Sequence, residues 1–227
     1  MRRSVLFPII AFLFFSCQGE KEDAPGTDAV FAAYAITAEE GGENVTCLLR
    51  FHAGNSRGPA LLLEPPAEVT LDGVALEADS ARLGGAYYEW QQSLTGFAGT
   101  HTIVFKNAEG KEYKEVFRFQ PFTVTNDLTG TVPRGEIVLQ LDGLAPTDYV
   151  RVLLTDTSFT TTDINEVDTV RNGRIAISRA ALRNVASGPV TLHLFKEEER
   201  RLKNAPAGGG LLSITYGLSR EFELVDE

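Results

Sequence analysis

The sequence is poor in the residue types that most often carry chemistry: its 227 residues include two cysteines, one tryptophan and three histidines. His52, His101 and His193 lie far apart, so there is no zinc-binding spacing such as His-Glu-x-x-His or Cys-x-x-Cys. A P-loop and a dinucleotide-binding glycine pattern are also absent. These absences favour a protein that is not an enzyme and has no organic cofactor, and a hydrolase is the least favoured function.

Basic side chains are also scarce. The chain carries 31 Asp and Glu against 21 Lys and Arg, which gives a formal charge of −10. Removal of residues 1–16, which hold two of the basic side chains and none of the acidic ones, takes this charge to −12. A protein that binds nucleic acid or an anionic membrane surface normally carries the opposite sign. The charge therefore predicts no nucleic-acid partner and fits a well-solvated surface.

The N-terminus holds the longest apolar run of the chain. Two arginines precede this run, which covers residues 5–15, and a small serine stands just before Cys17. This order of charge, apolar core and small residue is that of a secretory signal peptide. The run is shorter than the ~20 residues that a transmembrane helix needs. Residues 17–27 are polar and acidic and contain proline and glycine, which predicts a flexible tether.

A signal of this type that ends in cysteine resembles the lipobox of bacterial lipoproteins. The resemblance implies that the signal peptide at 1–16 is removed, that Cys17 carries a diacylglyceryl thioether and an acylated amino group, and that the membrane is a partner through this lipid. Two or more acyl chains hold a protein stably on a membrane, because each buried CH₂ contributes about 0.8 kcal/mol. The acidic residues Glu20, Glu22 and Asp23 resemble the export tag of surface lipoproteins in Gram-negative bacteria, which implies the outer membrane and the cell surface rather than its periplasmic face. An ordinary signal peptide with an incidental cysteine is the alternative.

From residue 28 onward, short apolar or alternating runs are separated by turn residues, which is the pattern of antiparallel β-strands. Asp72-Gly73 between two such runs predicts a type I′ hairpin, because both central residues need positive φ. The pattern pauses near residue 123 and then restarts, and no long amphipathic helix is predicted. We therefore predict an all-β chain of two tandem antiparallel β-sandwich domains, at 28–122 and 123–227. Residues 196–210, charged and then glycine-rich, are predicted to form an exposed loop.

Both halves resemble the immunoglobulin-like and fibronectin type III-like modules of bacterial surface proteins. The resemblance rests on Leu144-Ala-Pro-Thr-Asp-Tyr149 in the second half and on Gly99-Thr-His-Thr-Ile-Val-Phe105 in the first. The disulfide between sheets is missing, and Cys47, in an apolar run, is predicted to be a buried and unreactive side chain. Modules of this kind bind, adhere or act as spacers, so the resemblance leaves the function open.

The most individual motif is Tyr87-Tyr88-Glu89-Trp90-Gln91. In a strand, Tyr88 and Trp90 share one face, while Tyr87, Glu89 and Gln91 share the other. One interpretation makes Tyr88 and Trp90 anchors of the core. The other makes Tyr87, or an exposed Trp90, a flat platform for a sugar ring beside Glu89 and Gln91. The candidate ligand-binding residues are therefore Tyr87, Glu89, Trp90 and Gln91.

Oxygen-bearing side chains crowd the segment 156–168 between two predicted strands. The candidate calcium ligands in it are Asp156, Asp163, Asn165, Glu166 and Asp168. Calcium takes six to eight oxygen ligands. The spacing differs from that of an EF-hand loop, and the alternative is a solvated, hydroxyl-rich loop.

The sequence thus predicts a lipid-anchored, non-catalytic binding module of the cell envelope whose ligand is a glycan or a protein. The alternative is a structural or accessory subunit, or a spacer, of an outer-membrane complex that docks by strand addition at a sheet edge. The first hypothesis predicts a site with side chains that contact a ligand, and the second predicts an exposed edge or apolar patch.

Overall fold

The computed structural model describes residues 29–81, 85–157 and 163–226. The predicted signal peptide at 1–16, the lipidated Cys17 and the tether at 17–27 lie outside the described residues. Within them the chain consists of β-strands and two short 3-10 turns, at Leu94–Gly96 and Ala181–Asn184. No helix in these ranges is long and apolar enough to cross a membrane. The predicted all-β fold class is confirmed.

The described residues contain sixteen strands, eight in each half of the chain. Those of the first half are β1 (Val30–Glu39), β2 (Asn44–Ala53), β3 (Glu68–Leu71), β4 (Val74–Ala75), β5 (Ala78–Ala81), β6 (Gly85–Ser93), β7 (Gly99–Lys106) and β8 (Glu112–Phe119). Those of the second half are β9 (Thr123–Val124), β10 (Thr131–Pro133), β11 (Ile137–Asp142), β12 (Tyr149–Asp156), β13 (Ile164–Thr169), β14 (Arg174–Ile177), β15 (Gly188–Arg201) and β16 (Gly210–Val225). The predicted Asp72-Gly73 hairpin joins β3 to β4, with φ of 51° and 82° at its two central residues.

One large sheet runs through both halves in the order β13-β12-β15-β16-β1-β2-β6-β5, and β10 also pairs with β16. Its neighbours are antiparallel except for β1 and β10, which run parallel to β16. A four-stranded sheet, β4-β3-β7-β8, faces it in the first half, and a three-stranded sheet, β14-β11-β9, faces it in the second. Each half is therefore a two-layer sandwich, and the large sheet is common to both.

The strands β15 and β16 form a long hairpin that serves both halves. The base of the hairpin is hydrogen-bonded to β12 and β10 of the second half. The tip is hydrogen-bonded to β1, where the pairing extends from Ala32 opposite Gly210 to Glu39 opposite Gly217. The first sandwich is thus completed by strands from the C-terminal end of the chain. The predicted domain ranges 28–122 and 123–227 stay a prediction, but a division there separates the first sandwich from two of its strands.

The two sandwiches fill their interiors with different side chains. The first is packed by aromatic rings, and Phe51 of the large sheet meets Phe105 of the small one at 4.7 Å between centroids. Rings of this kind bury a large apolar area in few residues. The second is packed by aliphatic side chains, which include Ile137, Leu139, Val150, Val152, Leu154, Ile175, Ile177, Leu182, Leu192 and Leu194.

The tip of the hairpin docks against the start of β1. The Gly208 N–H donates to the Val30 carbonyl over 3.0 Å. A β-carbon at Gly208 would lie 2.6 Å from the carbonyl oxygens of Val30 and Gly54, so this close approach requires glycine. The predicted loop at 196–210 is therefore wrong for residues 196–201, which continue β15. Residues 202–209 do form a loop, but its glycines pack against β1.

A buried ion pair fastens the same tip to β8. Glu115, only 1% exposed, points into the sandwich, where its Oε1 accepts a hydrogen bond from Arg200 over 2.5 Å. Its Oε2 accepts the backbone N–H of Lys203 over 2.8 Å. Arg200 also donates to the carbonyl of Val116 on the edge of β8. A buried carboxylate requires such partners, so the hairpin tip and β8 depend on each other.

Candidate functional site

The predicted patch on β6 lies beside β5. The hydroxyl of Tyr87 donates to Asp79 Oδ2, its cross-strand neighbour, over 3.1 Å, and this bond raises the pKa of Tyr87. Gln91 Nε2 donates to Glu89 Oε1 over 2.5 Å. Glu89 and Gln91 line a shallow depression together with Glu77 and Asp79. The structure therefore brings Tyr87, Glu89 and Gln91 to one face, in an acidic patch whose polar groups bond largely to each other.

The other two aromatic residues of this motif face the core. Tyr88 is buried, its hydroxyl accepts the Leu63 N–H over 2.8 Å, and its ring meets that of Phe51 edge-on at 5.7 Å. Trp90 is half-buried against the same core. Trp90 therefore lies on the face opposite to Tyr87 and does not extend its patch.

The predicted calcium ligands are not gathered in one place. Asp156 accepts the Ala186 N–H over 2.9 Å, and Asn165 accepts a hydrogen bond from Arg151 over 3.2 Å. Glu166 follows Asn165 in β13 and so points to the opposite face of the sheet. Within the three described ranges, no three His, Cys, Asp or Glu side chains lie where they could hold a metal ion together. Calcium binding by this segment stays a prediction.

Residues 54–58, Gly-Asn-Ser-Arg-Gly, match the Gly-x-Ser-x-Gly pattern of serine hydrolases. In those enzymes the serine occupies a sharp turn between a strand and a helix. Here the residues form a loop that follows β2, and the ring Nδ1 of nearby His52 lies 3.0 Å from the carbonyl oxygen of Gly58. The match therefore lacks the structural context that gives the pattern its meaning.

Cys47 is fully buried on β2, as its sequence context predicts. Burial raises the pKa of its thiol to about 12, and the charge of Asp72 adds to the shift. The reactive species of cysteine is the thiolate. Cys47 therefore acts as a small apolar side chain in the core.

A groove crosses the outer face of the large sheet where the two halves meet. Phe195 stands at its centre on β15, with His193 stacked beside it at 6.0 Å between ring centroids and 10° between planes. Phe195 pairs with Gly217 of β16, and a β-carbon at Gly217 would lie 2.9 Å from two atoms of the ring. Glycine thus lets the ring lie across the neighbouring strand. The ring is half-buried, on the face opposite to the buried Leu192 and Leu194.

Short polar side chains surround this ring. On one side the lining contains hydroxyl and amide groups, which belong to Thr37, Asn44, Thr46 and Thr215. On the other side it contains carboxyl, imidazole and hydroxyl groups, which belong to Glu39, Glu40, His193 and Ser219. Strands β1 and β2 come from the first half and β15 and β16 from the second. We call this surface the Phe195 groove, and both halves of the chain are needed to build it.

One wall of the Phe195 groove is stabilised by an ion pair. Glu40 pairs with Arg220, whose second terminal nitrogen lies 3.2 Å from Oε1, and the same oxygen accepts a hydrogen bond from Thr123 over 3.0 Å. The hydrogen bond from Arg220, followed by that from Thr123, holds the pKa of Glu40 below its usual value against the opposing effect of burial. Glu40 is therefore an ionised, fixed group of the wall.

The sequence motifs did not point to the Phe195 groove. One signal for it exists: Leu192 and Leu194 alternate with His193 and Phe195, which places the two rings on the face opposite to the leucines. What alternation does not reveal is that β1 pairs with β16. Thr37 and Thr46, which line the groove with Phe195, come from strands about 150 positions earlier, and only the sheet order brings them together.

No family model and no curated protein matches the chain. Among solved structures it is similar to the first two immunoglobulin domains of DIP-gamma (10% identity, 87% of this chain and 95% of that chain, TM-score 0.24). It is also similar to the adhesin InvE of Yersinia pseudotuberculosis (14% identity, 84% and 61%, TM-score 0.22). A third is the Bacteroides ovatus protein SGBP-B in complex with a mixed-linkage heptasaccharide (9% identity, 83% and 61%, TM-score 0.21). At these TM-scores the likenesses carry no conclusion about what this chain binds.

Proposed function

We propose that this chain is a non-catalytic glycan-binding protein, anchored by a lipid on Cys17 in the outer membrane of a Gram-negative bacterium and facing the cell surface. The observation that carries the proposal is the Phe195 ring, which lies over Gly217 with hydroxyl, amide and carboxyl groups around it. The lipobox-like sequence that ends at Cys17 supports the anchor.

The chemistry of the groove suits a sugar. A sugar ring offers an apolar C–H face, which packs on an aromatic ring, and a rim of hydroxyls that both donate and accept hydrogen bonds. Threonine hydroxyls and the Asn44 amide are matched partners, because they too both donate and accept. An apolar surface with a few convergent polar groups is the usual form of a ligand site. Arg220 neutralises Glu40, whereas the carboxyl of Glu39, which lines the groove, disfavours an anionic ligand.

A second candidate function is that of an accessory subunit docked through a sheet edge. It is favoured by β13, which is an outer strand of the large sheet. Val167 on β13 and Tyr149 on the adjacent β12 are 58% and 63% exposed, which is unusual for large apolar side chains. A partner strand that adds to β13 would cover Val167.

The glycan proposal is tested by affinity electrophoresis in gels that contain neutral or anionic polysaccharides. The purified chain should be retarded by at least one neutral polysaccharide, the Phe195→Ala variant should not, and Phe195→Tyr should be retarded because it keeps the ring. Val74→Ala, an exposed apolar residue of the small sheet, is the matched control. If Phe195→Ala is still retarded and a Tyr87→Ala, Glu89→Ala variant is not, the glycan site lies at the β6 patch and not at Phe195. If the unmodified chain is retarded in none of the gels, glycan binding is rejected.

The location is tested by protease treatment of intact cells, with lysed cells and a Cys17→Ala variant as controls. Loss of the protein from intact cells is the expected result. Protection until lysis would place the domains in the periplasm and favour the accessory-subunit function instead.

A further inference from the structure

The strand register places five polar side chains side by side across the outer face of the large sheet. Glu197 is opposite Thr215, Thr215 is opposite Thr37, Thr37 is opposite Thr46, and Thr46 is opposite Gln91. Cross-strand partners point to the same face. We call this set the transverse row. It connects the Phe195 groove to Gln91, the end of the patch that the sequence predicted.

The transverse row is about 19 Å long, because neighbouring strands lie about 4.8 Å apart and the row covers five of them. The Phe195 ring stands next to one end of it, since Phe195 is two residues from Glu197 on the same face of β15. The three threonines form its middle, and Thr37 is exposed. In the described part of the chain, their side-chain hydroxyls make no hydrogen bond to other residues. The row therefore offers unengaged donors and acceptors over its whole central length.

The hydrogen-bonding groups that the transverse row presents to a ligand belong to side chains and not to the backbone. Strands β16, β1 and β2 each have a hydrogen-bonded neighbour on both sides along this row, so their N–H and C=O groups are occupied. An extended peptide bound by strand addition needs such backbone groups to be free. A ligand that lies across the strands must instead be recognised through its own hydroxyls. Glu197, at one end of the row, is paired with Arg151 over 2.8 Å, so the carboxyl of Glu89 beside the row is the group that disfavours an anionic chain.

We propose that the transverse row is an extended subsite for a linear, neutral polysaccharide, which binds with one sugar on Phe195 and the following sugars along Thr215, Thr37 and Thr46 to Gln91. This inference rests on the proposed glycan-binding function and adds the shape of the ligand and its direction across the sheet. It gives the predicted Gln91 a role at the far end of the same site, about 19 Å from Glu197.

The test is isothermal titration of the purified full chain with neutral oligosaccharides of glucose, mannose and xylose, from the disaccharide to the hexasaccharide, and with oligogalacturonate as the anionic arm. In the neutral series that binds, affinity should rise by at least about tenfold from the disaccharide to the longer oligomers, since each further sugar gains contacts. A Thr37→Val, Thr46→Val variant, which keeps the side-chain shape and removes two hydroxyls, should lose this increase, so that its affinity for the hexasaccharide falls by at least about tenfold more than its affinity for the disaccharide. Thr70→Val, Thr100→Val on the small sheet is the matched control.

The outcomes separate the two proposals. Disaccharide and hexasaccharide bound equally well, or an unchanged length dependence in Thr37→Val, Thr46→Val, would overturn the extended subsite and leave glycan binding at Phe195 intact. Tighter binding of oligogalacturonate than of every neutral series would overturn the neutral-ligand assignment. An absence of binding in all series would reject the proposed function itself, and the extended subsite with it.

Discussion

The first half of the molecule packs its sandwich with aromatic rings and borrows two strands from the second half, whereas the second half packs with aliphatic side chains and supplies those strands itself. Phe51 and Phe105 meet at the centre of the first core, while Leu139, Leu154 and Leu192 are fully buried in the second. The hairpin β15–β16 belongs to both, with its base in one sandwich and its tip in the other.

This difference shows which contacts make the first half depend on the second. The tip of the hairpin carries the glycine run that fits against β1 and the Arg200 side chain that neutralises Glu115. These contacts are all within the first sandwich, so the first half needs the C-terminal end of the chain for its edge and for its buried charge. The Phe195 groove lies where that dependence is built, because its lining comes from strands of both halves.

Truncation of one core residue in each half is expected to have the largest effect. Phe51→Ala should lower the free energy of unfolding by about 3–5 kcal/mol and Leu192→Ala by about 2–5 kcal/mol, because each leaves a cavity at a fully buried site. If the hairpin makes the halves one unit, each variant shifts a single transition of the whole protein in urea. A transition that splits in two, with only one step moved by each variant, would show that the halves unfold separately.

Loss of the buried ion pair should have the next largest effect, and it compares the tip of the hairpin with its middle. Arg200→Met leaves Glu115 buried without its partner and should cost about 3 kcal/mol. The matched change, Lys196→Met, breaks the pair with Asp148, whose side chains are both about a quarter exposed, and should cost about 1 kcal/mol. Urea unfolding measures both. Equal costs would contradict the dependence at the tip, and Glu115→Leu, Arg200→Met should recover part of the loss.

The smallest expected effect is the pH dependence of the junction at Glu40. Its pKa is lowered in the folded protein by hydrogen bonds from Arg220 and Thr123. Such a carboxyl adds stability that is present above its unfolded pKa of about 4.3 and is lost as the pH falls through the folded value. Glu40→Gln should therefore cost about 1 kcal/mol at neutral pH and nothing in strong acid. Glu109→Gln in the β7–β8 turn is the control, and a cost of Glu40→Gln that does not change with pH would contradict this explanation.

The sequence predicts what is local in this fold. Alternation of apolar and polar residues predicts most of the strands, and Asp72-Gly73 predicts its turn because few other residue pairs accept two positive φ angles. The same alternation correctly separates Tyr88 from Tyr87 on the two faces of β6. These features depend on the period of a strand and the conformational freedom of glycine, which are properties of neighbouring residues.

The long-range features are not readable in the same way. The run 196–201 looks like a solvated loop because it is charged, yet Arg200 is half-buried since Glu115, far away in sequence, requires a counter-ion. The sequence around Gly208 is typical of a flexible loop, but in the structure a β-carbon at this position would lie 2.6 Å from the carbonyl oxygen of Val30. The transverse row needs the parallel pairing of β1 with β16, and the sequence does not specify which strands become neighbours.

The measurement that tests the central claim most directly is equilibrium unfolding in urea followed by two probes on the same sample. Trp90, the single tryptophan, lies in the first half, so its fluorescence reports on that sandwich, while far-ultraviolet circular dichroism reports on the strands of both. A chain joined by a shared hairpin should give coincident transitions with one midpoint and one slope. Tryptophan and dichroism transitions at different midpoints would show two independent domains, and would contradict a binding groove that depends on both halves being joined.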